Sequence, residues 1–151
     1  MSDLAPEERL DTDTPVPEGR RPFFTWVILV WVLLGTLALI AGYATLFGLV
    51  PQVPEEDLAM LRSIGWPHWA LAAVGAALNL TGAILLVRRK AIAAAVFTVA
   101  LVLILLDTGY LYTTGQLETL FPHIGPLIVG IAVAAMIVGY AYNLKARRRI
   151  V

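Results

Sequence analysis

Four long apolar runs govern what this chain can fold into. They cover residues 23–50, 68–87, 91–112 and 124–144, and the only carboxylate inside them is Asp107. A helix rises about 1.5 Å per residue and the hydrocarbon core of a bilayer is roughly 30 Å thick, so about 20 residues span it. Backbone amides in lipid must bond within their own segment or close a barrel. Barrel strands alternate apolar and polar residues, and AVFTVALVLILL does not alternate. The predicted fold is therefore all-α, an integral membrane four-helix bundle.

Composition agrees. Of 151 residues, 59% are hydrophobic and 15% charged, against about 45–50% and about 25% in a soluble domain. The formal net charge is zero, so no basic field draws nucleic acid, and none is expected as a partner. The absence of cysteine excludes thiol catalysis. Metalloprotease, phosphate-loop and serine-elbow patterns are also missing. No catalytic residue, cofactor or metal site is expected, and the chain does not read as an enzyme.

The basic residues set the orientation. Arg9, Arg20 and Arg21 precede the first run, and Arg88, Arg89 and Lys90 separate the second from the third. Lys145, Arg147, Arg148 and Arg149 follow the fourth, leaving Arg62 alone on the other side. The positive-inside rule then predicts both termini in the cytoplasm of a bacterial inner membrane. Residues 1–22, rich in charge and proline, are predicted as a disordered cytoplasmic tail, and 145–151 as a basic one. Arg20 and Arg21 in GRRPFFT read as the anchor of the first span, because the run that follows is far longer than a signal peptide's apolar region.

The connection from Pro51 to Pro67 carries helix signals. Pro54 suits a first helical position, while Glu55, Glu56 and Asp57 favour the positive end of a helix dipole. Leu58, Leu61 and Ile64 recur every third residue, and Gly65 with Pro67 can stop the helix. A short amphipathic helix on the outer surface is predicted between spans one and two. Thr113–His123 shows no such pattern.

Asp107 is the first candidate for chemistry, since an acid inside a membrane helix costs roughly 2.5–3.5 kcal/mol at the bilayer centre. It lies toward the outer end of the third run with no basic partner apparent in the spans. It reads as a solute or proton contact, or as a structural acid bonded to Thr108, Tyr110 or Tyr43. Asn79 is the second candidate, at mid-span. Its helical neighbours include Ala72, Gly75, Ala76, Gly82 and Ala83, a small-residue face on which another helix can seat, with Asn79 bonding across. Ala38 with Gly42, and Gly130 with Ala134, form similar pairs. Trp31 and Tyr43 sit deeper than an aromatic belt and read as inter-helix packing or as parts of a binding set with Asp107 and Asn79. His68 and His123, beside prolines in WPHW and FPHIGP, read as interfacial anchors rather than haem ligands.

The stretch VPEEDLAMLRSIGWPHWALAAVGAALNLTGAILLVRRK, followed by AIAAAVFTVALVLILL, resembles a bacterial family of small four-span inner-membrane proteins often labelled sugar transporters. The architecture is more distantly similar to DoxX-like proteins. The resemblance covers Leu46 to Thr114 and implies the same four-span fold. Three functions fit these residues. The first is a non-catalytic membrane protein that packs with other helices, as a homo-oligomer or an accessory subunit of a larger complex. The second is a small-solute carrier, of sugars as the family label implies, acting as an oligomer. The third is a haem- or quinone-binding subunit. The lipid bilayer is a partner in all three.

Overall fold

A computed structural model describes residues 23–147 and Ile150; the predicted N-terminal tail lies outside the described residues, while α6 runs on through Lys145 and Ala146 of the predicted C-terminal one. Six helices follow in order. They are α1 (Phe23–Leu46), α2 (Glu55–Ser63), α3 (Trp66–Val87), α4 (Ile92–Thr113), α5 (Leu117–Leu120) and α6 (Ile124–Ala146). α1, α3, α4 and α6 are long and apolar enough to cross a membrane. With 22 to 24 residues each, they reach about 33–36 Å. The protein is an all-α, multi-pass membrane bundle.

Local chemistry sets where the helices end. α1 stops at Leu46, short of the predicted Val50, because Gly48 turns left-handed at φ 71°. Its N–H bonds to Thr45 O (3.0 Å) and that of Leu49 to Ala44 O (2.8 Å), which closes the helix. The same pair of bonds ends α3, from Arg89 to Leu86 O and from Lys90 to Leu85 O. There the left-handed position, φ 58°, falls to Arg89 rather than a glycine. α2 begins after Pro54, which caps it instead of opening it. Gly65 and Pro67 do not merely end α2. They start α3, with Gly65 as its N-cap and Pro67 in its first turn, where a missing N–H costs nothing. α5 is a four-residue turn that no periodicity announced.

α3 and α4 form an antiparallel hairpin with the most extensive packing in the molecule; α1 lies against α3 and α6 against α4. The hairpin turn and the first turn of α1 define a basic end, and α2 and α5 define the opposite, connector end. Packing is uneven between the two. A dense cluster of Ile28, Val32, Ala83, Leu86, Ala93, Ala94, Phe97, Ile137, Ala141 and Leu144 fills the basic half. Its keystone is Phe97, 2% exposed, whose ring covers Gly82 so closely that a Cβ there would lie 2.9 Å from it. Also at this end α1 meets α6, through Thr25 Oγ1 and Tyr140 OH at 3.4 Å and the rings of Phe24 and Tyr140.

At the connector end, polar bonds add to the burial of Ile64 and Leu111. The Gln116 amide donates to Ser63 O (2.9 Å) and accepts from the Gly65 N–H (3.3 Å), tying the α4–α5 loop to the α2–α3 junction. Gly65 is itself hemmed in, since a Cβ there would overlap the Tyr110 hydroxyl.

Candidate functional site

Between the packed half and the connectors, the four spans line a half-open cavity of about 340 Å³. Gly75 shows why it is a void rather than a seam. It is buried, yet a Cβ built on it would meet nothing within 4 Å. Ala72 and Ala76 share that wall, Gly130 and Ala134 form the α6 wall, and Trp31, Gly35 and Thr36 form the α1 wall. α4 contributes Leu103, Ile104, Asp107, Thr108 and Leu111, and Phe121 closes the connector end.

Ala72, Gly75, Ala76, Gly130 and Ala134, expected to seat a helix of this chain or of a neighbour, line open space within the single chain. Small side chains leave a volume wherever the facing helix does not move in to fill it. Gly82 and Ala83 do lie in the α3–α4 contact with Phe97. Gly42 sits 3.5 Å (to a built Cβ) from the Trp69 ring. Ala38 is exposed on the outside of α1.

Three of the four residues considered for binding reach the cavity: Asp107, Asn79 and Trp31. Tyr43 does not. Its hydroxyl donates to Trp69 O (2.5 Å) and its ring packs on Trp69 with centroids 5.1 Å apart, so it braces α1 against α3.

Asp107 has a basic partner that was not expected. Nδ1 of His68 lies 2.9 Å from Oδ1 and 3.0 Å from Oδ2 of its carboxylate. The two side chains are only 12% and 17% exposed. His68 is thus a bonded residue of the first turn of α3 rather than an interfacial anchor. Two of the three hydroxyls considered as partners bond elsewhere, Thr108 to Ile104 O and Tyr43 to Trp69 O. His68 itself is absent from the cavity wall, so it holds the carboxylate from behind while Asp107 faces the space. The signal lay in the hairpin. Folding the sequence about Arg89 and Lys90 brings His68 to within about one helical turn of Asp107.

Asn79 is the complementary case. Expected to bond across a helix interface, its amide has no hydrogen-bond partner among the described residues and faces the cavity. The remaining polar walls are Thr36 and Thr108, whose hydroxyl protons go to Val32 O and Ile104 O of their own helices. What they offer the cavity is acceptor lone pairs. His123 is exposed, and among the described residues no group of three potential ligands gathers for a metal ion.

Nothing known matches. No family model, no curated protein and no solved structure is matched by the chain.

Proposed function

We propose that this membrane protein binds a small, mostly apolar molecule in the cavity between its spans, and that binding serves carriage or sensing of that molecule. The observation that carries this is Asn79: a mid-span amide with no hydrogen-bond partner among the described residues, lining the same cavity as the part-buried carboxylate of Asp107. An unpaired polar group in an apolar setting costs about 1–3 kcal/mol. A ligand that bonds to it recovers that cost. The cavity lies at the small end of the usual range of ligand sites, about 300–1,000 Å³, and has their usual make-up of apolar walls with a few polar groups.

A sugar fits these walls poorly. Hydroxyls on every carbon would meet Gly, Ala, Leu and Ile, and each unmatched one carries a desolvation cost. The small-residue faces that pointed to association with other helices are largely taken up by the cavity, which shifts support toward an internal site. We also place the protein in a bacterial inner membrane with both termini cytoplasmic, on the basic residues of the α3–α4 turn and the two tails. The cavity then lies in the outer half of the bilayer.

The test is saturable ligand binding in nanodiscs, read from Trp31 fluorescence across a panel of small amphiphiles. A Gly75→Leu variant, which puts a side chain into the cavity, is the control. Binding to the parent and not to the filled variant supports the proposal. Signals of equal size in both, the mark of partition into lipid, reject it.

A further inference from the structure

We infer, resting on the ligand site proposed above, that its occupant is a small lipophilic organic ammonium ion, with the cationic nitrogen on Asp107 and the carbon body against the apolar walls. The charges point one way. Asp107 is the cavity's one charged side chain, and no Lys or Arg lines it. Among the described residues, the basic side chains lie at helix ends, in the α3–α4 turn or on α2. An anion entering would be repelled by Asp107 and would find no counter-charge. His68 Nδ1 contacts both carboxylate oxygens from outside the cavity lining, which leaves Asp107 as the charged group that faces the space.

The hydrogen-bonding inventory points the same way. Asp107 accepts, Thr36 and Thr108 have spent their protons on backbone carbonyls, and N–H donors come only from the Asn79 amide and the Trp31 indole. The site is rich in acceptors, so its ligand should be rich in donors. An ammonium group brings N–H donors and positive charge together, and charge-assisted bonds are roughly twice as strong as neutral ones. Trp31 and Phe121 are the aromatic walls against which the carbon body would lie. His68 acts as a positioning residue behind the carboxylate.

The experiment uses three probes of one shape on the full chain in nanodiscs: 2-phenylethylammonium, 2-phenylethanol and 3-phenylpropanoate. Affinities come from Trp31 fluorescence, with Gly75→Leu discs subtracting partition into lipid. The ammonium should bind at least about tenfold more tightly than the alcohol, a difference of roughly 1.4 kcal/mol, and the carboxylate should not saturate. Asp107→Asn should erase the preference for the ammonium over the alcohol. The comparison on the parent protein decides the matter even if that variant fails to fold. Equal affinities for ammonium and alcohol, both lost in Gly75→Leu, would overturn the cationic ligand and leave the cavity as a neutral-ligand site. Saturable binding by none of the three overturns the ammonium assignment, and a blank amphiphile panel overturns the ligand site with it.

Discussion

His68 and Asp107 stand 39 residues apart in the chain, yet one imidazole nitrogen reaches both carboxylate oxygens at 2.9 and 3.0 Å. This contact crosses from the first turn of α3 to the far end of α4, and so fixes the register of the hairpin at its open end. It also sets the direction in which the one carboxylate of the spans presents its charge.

Removing the imidazole should therefore cost both stability and selectivity. His68→Leu is expected to destabilise the bundle by about 1–2 kcal/mol, between the value of a hydrogen bond to a charged group and the lower average found inside membranes. His68→Asn keeps an N–H near the position of Nδ1 and should restore most of that loss. Unfolding in mixed micelles checks the energies. Ammonium-over-alcohol selectivity, reduced in His68→Leu and recovered in His68→Asn, separates positioning of Asp107 from a purely structural bond.

The glycines of α3 should behave in opposite ways. At Gly82 an added methyl meets the Phe97 ring at 2.9 Å, so Gly82→Ala should cost about 1–3 kcal/mol by overpacking. At Gly75 nothing stands within 4 Å, so Gly75→Ala should be neutral or stabilising by up to about 1 kcal/mol, the helical advantage of alanine over glycine. Thermal unfolding of the two variants side by side tests this contrast.

The four spans were legible because apolar length is a property of the sequence alone. The hairpin turn was legible from the tight basic cluster at Arg88–Lys90. The cavity was not, because small residues such as Gly75 and Ala76 permit close packing without enforcing it. Whether a neighbour fills the groove depends on how all four helices tilt. The residue set was nearer to hand: Asp107, Asn79 and Trp31 stood out as rare polar or deep aromatic groups. His68 escaped notice because WPHW looks like an interface, and only a helix that begins at Trp66 carries it inward. Of the two readings for Tyr43, inter-helix packing is the one the structure shows, on Trp69.

Gln116 should control the connector end. Gln116→Ala removes the two bonds to Ser63 and Gly65 and should speed amide exchange at Gly65 and along the start of α3. Exchange near the Phe97 cluster should stay unchanged. Hydrogen–deuterium exchange with peptide resolution reads both, and faster exchange at the basic end as well would show that the two halves of the bundle unfold together.

The open space beside Gly75 is the feature on which the functional account rests, and the cysteine-free chain makes it directly measurable. Single variants Gly75→Cys and Ala83→Cys, in intact membranes, are treated with a small membrane-impermeant thiol reagent added from the face opposite the termini. Gly75→Cys should react at least about tenfold faster than Ala83→Cys, which is packed in the basic half. Equal protection of the two positions would mean that the α3 groove is filled by another helix, and would contradict the account.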